Sequence, residues 1–266
     1  MMLRKFLFIG FMFFMLSPVF AVSAKLVPPV KPTDNQWRFL IAPYAWLPWI
    51  TGNMTVRGNN AAVDVTPNDL IKKLDFVLQL HAEASKGNWA FMVDPNYIKL
   101  SDSTNKSGPT GVTIGGNIKF KMTLVDFGAY YKFLNRQVGD RPDSSVSLEG
   151  LLGGRYMRLE NTISPMRLPS VTASKSWTDP IIGGRLLYHI NKFWSAVATG
   201  DIGGFGVGSQ FTWSTRLLGI YNINKTFGLA FGVRALGINY SEGTGATRFK
   251  MDTTMYGPIV GITIRF

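Results

Sequence analysis

The chain contains the stretch Tyr256-Gly-Pro-Ile-Val-Gly-Ile-Thr-Ile-Arg-Phe266, in which every second residue is apolar. Successive side chains of a β-strand point to opposite faces, so this stretch predicts a strand with one continuous apolar face that includes Phe266. The opposite face carries two glycines, Thr263 and Arg265. A strand of this kind indicates a sheet with one apolar and one polar surface.

The first 24 residues have the organisation of a secretory signal peptide. Arg4 and Lys5 precede an apolar run that leads to small residues around Ala24. This order of charge, apolar core and small residues is typical of a cleaved leader. A retained membrane anchor is the alternative, but Gly10 and Pro18 interrupt the run, and a spanning helix needs about 20 apolar residues. We expect a signal peptide over 1–24, an N-terminal periplasmic segment over 25–35 and one barrel domain over 36–266.

The composition suits a membrane protein that crosses the bilayer with strands. Hydrophobic residues make up 46% and aromatic residues 13% of the chain, yet no stretch after the leader has the length of a spanning helix. Only helices and closed barrels satisfy their backbone hydrogen bonds in hydrocarbon. The sequence has no Cys, so strand pairing rather than disulfides must hold an exported domain together.

The formal net charge is +12, of which Arg4 and Lys5 supply two and leave +10 on the mature domain. The basic residues are scattered singly and form no recognition helix, so nucleic acid is not the expected partner. An anionic membrane surface is favoured as the partner. The equal alternative is that the excess charge keeps the loops soluble.

Alternating segments separated by turn residues predict an all-β fold, a closed antiparallel up-and-down transmembrane β-barrel of about 10 strands, with 8 to 12 possible. An even number of strands places both termini on the periplasmic side, with short turns there and longer loops opposite. Segment 51–66 could add a hairpin and raise the count to twelve. The ten segments are 36–50, 74–86, 89–102, 114–133, 145–160, 176–190, 193–206, 210–222, 226–240 and 250–266.

Two local features interrupt the strand pattern. In 114–133 the apolar residues change from even to odd positions, which we interpret as a β-bulge near Leu124. Before the second strand, Thr66, Pro67 and Asp69 form a capping-box pattern that predicts one short helix near 67–74. This helix either plugs the barrel mouth or, as we favour, packs locally.

Aromatic residues near the strand ends predict two interfacial girdles, which argue against a soluble β-sandwich or lipocalin-like barrel with its apolar face inside. The girdle near the short turns comprises Trp89, Tyr131, Tyr188, Trp194, Tyr221, Phe227 and Phe266. The opposite girdle comprises Trp46, Trp49, Tyr97, Tyr156, Trp177, Trp213 and Tyr240.

Charged residues on the polar strand faces predict the lining of the lumen. Charges inside a membrane structure need ion pairs or water, and a barrel of ten strands is close to the size that side chains fill. We therefore expect cross-strand pairs such as Glu149 or Asp179 with Arg155 or Arg185. The predicted lining residues are His81, Glu83, Asp94, Lys119, Lys121, Glu149, Arg155, Asp179, Arg185, Asp201, Arg216 and Arg234.

This lining is compatible with two functions of equal weight. One is a narrow porin-like channel for small anionic solutes, lined by the basic residues. The other is a structural or adhesive protein whose lumen is plugged and whose loops bind lipopolysaccharide or other surfaces. The sequence leaves the transported solute and the oligomeric state open.

A lipid A-modifying enzyme or a protease is a third, less favoured class. Such chemistry needs a His beside a Ser nucleophile or an orienting carboxylate, whereas His81 and His189 lie in no such motif. We therefore predict no catalytic residue. The absence of Cys and the lack of a calcium-loop spacing likewise predict no metal site and no cofactor.

Residues 36–266 resemble the small outer-membrane β-barrels of Gram-negative bacteria, in the company of porin-like and OmpW-like proteins. The resemblance implies residence in the cell outer membrane, contact with its lipid and lipopolysaccharide, and recognition of Phe266 by the barrel-assembly machinery. It defines no functional residues. A closer resemblance to a group of barrels without an established activity rests on Pro43-Tyr-Ala-Trp46, Asp64-Val-Thr-Pro-Asn-Asp-Leu70, Leu74-Asp75 and Gly87-Asn-Trp89.

Overall fold

A computed structural model of the chain describes residues 35–56, 58–107, 113–165 and 170–266. The predicted signal peptide and all but the last residue of the predicted periplasmic segment lie outside these ranges. The described residues form twelve strands, one α-helix and a short 3-10 helix at Gly245–Thr247. The elements are β1 Arg38–Trp46, β2 Trp49–Val56, β3 Asn59–Val65, α1 Pro67–Lys73, β4 Leu74–Lys86, β5 Trp89–Ser107, β6 Thr113–Gln137, β7 Ser145–Pro165, β8 Val171–His189, β9 Trp194–Gly203, β10 Phe211–Asn222, β11 Phe227–Glu242 and β12 Phe249–Arg265.

The sheet closes into a barrel of ten strands. Strand β1 pairs antiparallel with β4 on one side and with β12 on the other, and β4 to β12 follow one another in chain order. Strand β2 continues β1 past Pro48 along the same partner β12, and β3 forms a hairpin with β2. The predicted ten-strand barrel is confirmed, and the possible extra hairpin over 51–66 is β2 and β3.

A side chain joins β1 to β4 where their backbone pairing stops. The ladder between these strands ends at Pro43 and Leu80. Beyond it, the Gln79 side-chain oxygen accepts a hydrogen bond of 2.7 Å from the backbone N–H of Trp46. The buried Gln79 amide thus takes the place of a missing strand contact.

The two termini of the barrel lie at one end, which we call the terminal end. Phe266 donates its backbone N–H to the Phe39 carbonyl oxygen at 2.9 Å. Three of the four connections at this end, 87–88, 190–193 and 223–226, are short, and 138–144 is longer. Two of the short ones use the same device, since Asn191 and Asn224 each accept backbone N–H groups two and three residues ahead. These Asn turns are the physical basis of the hairpin spacing.

Helix α1 lies where the capping pattern predicts it. Thr66 Oγ1 accepts the N–H of Asp69 at 3.2 Å, and the Asp69 carboxylate accepts the N–H of Thr66 at 3.1 Å. These hydrogen bonds lower the pKa of Asp69. Lys73 forms a 2.8 Å salt bridge to Asp102, which ties the helix to β5. Within the described ranges, no helix has the length and apolar character to cross a membrane.

The predicted β-bulge near Leu124 is wrong. Strand β6 pairs without a break through Leu124 with both β5 and β7, and its register shift falls between Lys132 and Leu134. The apolar residues change position because the surroundings of the strand change along its length. Leu124 and Met122 point inward and are buried, whereas Phe127 and Tyr131 point outward and are exposed.

This change of polarity divides the barrel into two halves. In the membrane half, nearest the terminal end, charged side chains point inward and apolar side chains point outward. In the protruding half, polar side chains point outward and an apolar core fills the interior. Strand β6 has 25 residues, whereas about 10 suffice to cross a membrane, so the protruding half extends into water. The apolar core comprises Trp46, Ile98, Met122, Leu124, Met157, Leu159, Trp177, Leu236, Ile238, Tyr240, Met251, Met255 and Ile259.

The outer surface of the membrane half carries the predicted aromatic residues at the terminal end. Trp89 packs against Tyr131 with ring centroids 4.9 Å apart, and Trp194 packs against Tyr221 at 5.1 Å. The girdle predicted for the opposite boundary is only partly correct. Its members Trp46, Trp177 and Tyr240 point inward and belong to the apolar core, because the interior is the apolar side at that height.

One outward aromatic residue of that boundary depends on a glycine opposite to it. Trp213 and Gly237 are register partners on β10 and β11. A Cβ atom at position 237 would lie 2.1 Å from Trp213 Nε1. Gly237 therefore gives the indole ring room to lie flat against the neighbouring strand.

Candidate functional site

The lumen of the membrane half contains a group of paired charges that we call the central network. It brings together six of the twelve residues predicted to line the lumen, from strands on all sides of the barrel. Its members are Tyr44, His81, Asp94, Asp126, Arg155, Asp201, Arg216 and Arg234.

Arg155 stands at one side of the central network. Its Nε donates to Asp126 Oδ1 at 2.7 Å, and one terminal nitrogen donates to Asp201 Oδ2 at 3.2 Å. The other terminal nitrogen donates to Thr212 Oγ1 at 3.0 Å. Arg155 is 1% exposed, so these contacts replace its hydration.

Arg234 links the two sides of the central network. It donates to Asp126 Oδ2 at 2.9 Å and to the Tyr44 hydroxyl oxygen at 3.1 Å. Tyr44 in turn donates to Asp94 Oδ1 at 2.5 Å. The bonds run from β6 through β11 to β1 and β5, which fixes the lumen in one arrangement.

Asp94 is the most heavily bonded carboxylate in the network. Its Oδ2 accepts from Arg216 at 2.9 Å and contacts His81 Nδ1 at 3.0 Å. Asn96, on the same strand, donates to Asp94 Oδ1 at 2.9 Å. These donors stabilise the negative charge of the buried carboxylate.

A second group of charges, the lower cluster, lies nearer the terminal end. Arg185 donates to Glu83 and, through Nε, to Glu149 at 2.8 Å. The guanidinium also lies 4.0 Å from the Tyr130 ring centroid, and Lys132 is 4.0 Å from Glu149. The Glu149–Arg185 pair is one of those that the sequence predicts.

The charges of the two groups balance, which bears on the predicted anion path. The central network has three carboxylates and three guanidiniums, and the lower cluster has two acidic and two basic side chains. Each inward arginine of these groups already contacts a carboxylate. The lumen therefore presents few unneutralised cations to a passing anion.

Three predicted lining residues lie elsewhere. Asp179 does not meet Arg155 or Arg185, since it accepts from the Ser209 N–H at 2.5 Å and from the Ser209 hydroxyl at 2.8 Å. Lys119 and Lys121 point outward from the protruding half, and Lys121 forms a 2.7 Å salt bridge to Glu160. The prediction is wrong for both lysines, because the interior at their height is apolar.

The structure also places contacts that the sequence did not predict. Tyr44, Asn96 and Tyr130 join the charged groups, although aromatic and amide side chains on a polar strand face are a weak signal. His189 Nδ1 lies 3.0 Å from Ser195 Oγ across the β8–β9 pair. In the described chain, no carboxylate contacts His189, so this pair lacks the group that orients a catalytic histidine.

The geometry assembles a closed antiparallel barrel, an apolar outer belt, aromatic residues at its boundaries and paired charges inside. A soluble barrel shows the opposite arrangement along its whole length. This chain is a β-barrel of the outer-membrane type. The resemblance seen in the sequence is thereby confirmed at the level of the fold.

No protein-family model and no curated protein matches the chain. Among solved structures, it is similar to Ail, the attachment invasion locus protein of Yersinia pestis, crystallised with the heparin analogue sucrose octasulfate. The two share 13% identity over 86% of this chain and 98% of Ail, with a TM-score of 0.34.

Two further solved structures are similar to this chain. The toluene transporter TodX of P. putida shares 9% identity over 86% of this chain and 90% of its own, with a TM-score of 0.31. A FadL homologue of Pseudomonas aeruginosa shares 10% over 86% and 90%, with a TM-score of 0.29. At these values no residue, ligand or activity is transferred to this chain.

Proposed function

We propose that this protein resides in the outer membrane with an occluded lumen and acts through its surface contacts rather than as an open channel. The observation that carries this proposal is the filling of the lumen at two successive levels. Fractionation and heat-modifiable gel migration test the location. Recovery of the protein in the soluble periplasm would overturn it.

The two levels lie directly above one another. On β7, inward Arg155 of the central network is followed by inward Met157 of the apolar core, and on β11 Arg234 is followed by Leu236. Leu124, like Met157 and Leu236, is 0% exposed. A solute would have to displace both the ion pairs and the packed core.

Conductance across a planar bilayer tests the occlusion. The refolded chain should give no single-channel steps at any voltage. Arg155→Ala should also give none, because the apolar core above the network remains in place. Steps in the unaltered protein would instead establish the porin-like channel for small anionic solutes.

A surface suited to lipopolysaccharide lies just beyond the apolar belt on β5, β6 and β7. We call it the basic patch, formed by Lys99, Lys119, Lys121 and Arg158 on the outer face. Asp75 and Glu160 accompany them, so four basic side chains stand against two acidic ones. Outward basic groups at this height face the lipid headgroups, where they can donate to phosphate.

Binding of purified lipopolysaccharide tests the basic patch. The double substitution of Lys119→Gln and Lys121→Gln should weaken binding of lipopolysaccharide several-fold. Lipopolysaccharide without its phosphates should bind equally to the unaltered protein and to the variant. Lys225→Gln, at the terminal end, is the matched control and should change nothing. Equal binding by variant and unaltered protein would count against the patch.

We further propose that Phe266 is read by the barrel-assembly machinery. Its side chain is exposed on the outer face, and its backbone N–H bonds to β1 at the closing strand pair. Phe266→Ala should slow assembly of the heat-modifiable form in cells. Phe205→Ala, which removes another exposed aromatic side chain in a loop at the other end, should not; equal rates for both variants would contradict the proposal.

For His81 and His189 we propose hydrogen-bonding roles and no catalysis. His81 lies between Asp94 and Glu83, and no nucleophile hydrogen-bonds to it in the described chain. Replacing either histidine with Asn should leave the lipid A profile of the cell unchanged. An altered profile would favour the enzyme class.

A further inference from the structure

A space of about 170 Å³, the inner cavity, lies inside the barrel between the charged groups and the terminal end. One end is bounded by Tyr44, His81 and Arg216 of the central network. The other end is bounded by His189, Ser195 and inward residues of β12. The middle of the cavity is apolar.

The cavity lies beside small inward residues of neighbouring strands. Ala230 and Gly261 are register partners on β11 and β12, and Gly261 also pairs with Tyr44 on β1. These small residues leave a hollow on one wall. Leu187 and Leu218 contribute apolar side chains to the lining of the cavity.

The floor of the cavity offers polar groups that the fold leaves unused. Thr263 is 3% exposed, and its Oγ1 has no hydrogen-bond partner among the described residues. Two residues further on the same face, the half-buried Arg265 forms no ion pair within the described chain. Beside them, Ser195 Oγ contacts His189 Nδ1 at 3.0 Å and accepts from Asn222 Nδ2 at 3.3 Å.

A wider space of about 660 Å³ at the terminal end adjoins the inner cavity. The two share the lining residues Leu40, Glu83, Arg185, Leu187 and Arg265. Arg38, Lys132 and Lys225 also line the wider space, so its rim is rich in positive charge. A small anion approaching from this end meets a favourable potential and then Arg265.

We propose that the inner cavity binds a small amphiphilic carboxylate, with its apolar body about the size of one benzene ring. An apolar cavity of about 150 Å³ in another protein accommodates benzene, which sets the scale of the body. The carboxylate accepts charge-assisted hydrogen bonds from Arg265 and, after rotation of the Thr263 side chain about χ1, a hydrogen bond from its hydroxyl. The apolar body of the ligand contacts the Leu187 and Leu218 side chains. This site is separate from the basic patch and does not depend on lumen conduction.

Equilibrium binding of benzoate to the detergent-purified, folded chain tests the proposal, with benzamide as the neutral isostere. Benzoate should saturate one site at millimolar concentration and bind more tightly than benzamide. Arg265→Gln should weaken benzoate at least tenfold and leave benzamide unchanged. Thr263→Val, which keeps the side-chain shape, should weaken benzoate to a smaller degree.

Two variants separate the cavity from the outer surface. Ala230→Leu fills the hollow and should abolish binding of both compounds, whereas Arg158→Gln, on the outer face and outside both spaces, is the control and should leave both unchanged. Heat-modifiable migration identifies the folded variants. The proposal is overturned if benzoate shows no saturable binding, if benzamide binds as well as benzoate, or if Arg265→Gln and Thr263→Val both bind like the unaltered protein.

Discussion

The membrane half and the protruding half of this barrel are built from the same strands with opposite polarity. In the membrane half of β6, Asp126 points inward and Phe127 outward. Nearer the N-terminus of the same strand, in the protruding half, Leu124 points inward and Lys121 points outward. The alternation of faces is unchanged between the two halves. Only the surrounding solvent differs, lipid around one half and water around the other.

The two interiors are therefore stabilised in different ways. The protruding half gains free energy when its core side chains leave water, as a soluble protein does. The membrane half keeps its apolar side chains on the lipid side and must hold charges inside. Those charges are stable inside the barrel because Arg155 and its neighbours pair with carboxylates. Removal of one partner would leave the other charge buried and unpaired.

The largest expected effect tests the interior of the membrane half. Arg155→Gln leaves Asp126 and Asp201 buried with fewer donors, and should cost about 3–5 kcal/mol in urea unfolding of the barrel in lipid vesicles. Arg158→Gln, three residues along the same strand on the outer face, is the control and should have little effect. Similar losses of unfolding free energy in both variants would mean that the buried ion pairs of Arg155 stabilise the barrel no more than the exposed contact of Arg158 does.

The next effect tests the interior of the protruding half. Leu124→Ala removes a fully buried side chain and should cost about 2–5 kcal/mol in the same measurement, because it leaves a cavity in the core. Val125→Ala, one residue along on the lipid-facing side, should cost less. A larger loss of unfolding free energy in Val125→Ala than in Leu124→Ala would contradict this difference between the two halves.

Arginine substitutions on the outer face locate the boundary between the halves. Leu152 is 70% exposed within the apolar belt, and Leu152→Arg should cost about 2–4 kcal/mol near the centre of the membrane. Thr123→Arg lies at the edge of the protruding half and should cost about 0–1 kcal/mol. Equal costs at 123 and 152 would place both positions at the same depth.

The smallest effect concerns α1, which lies outside the membrane half. Thr66→Ala removes the helix cap and should lower local helix stability by about 1 kcal/mol, seen as faster amide exchange in 67–73 with an unchanged barrel. The lowered pKa of Asp69 implies that this cap contributes fully above its ordinary value of 3.8 and is lost as the pH falls through the lowered pKa. Exchange that is independent of pH over this window, after correction for intrinsic rates, would contradict the assignment.

Much of the fold was predictable from the sequence. Period-two alternation in stretches such as 256–266 identified the strands, and short turns containing Asn191 and Asn224 set their pairing order. The capping residues Thr66 and Asp69 identified α1. Each of these signals is local, and neighbouring residues settle it without help from distant parts of the chain.

The candidate site was predictable only in part. Alternation correctly grouped Glu83, Arg155 and Arg234 on one side of the wall, but it also placed Lys119 and Lys121 inside. Periodicity states which residues share a face and does not state which face is inward. The same limit explains the misplaced Trp46, whose aromatic ring belongs to a core rather than to an interfacial girdle.

The sequence by itself determined that the strands are amphipathic, that there are about ten of them and that they close in chain order, because backbone geometry ties those properties to local residue patterns. Only the tertiary structure decided which arginine meets which carboxylate, where the polarity of the wall reverses, and that Thr263 and Arg265 face an apolar hollow. Those outcomes depend on strand register and on the width of the closed barrel, and both are set by residues far apart in the chain. Even the terminal stretch 256–266, whose outward face was evident at once, acquired its inner cavity only when β1 and β11 closed on either side of it.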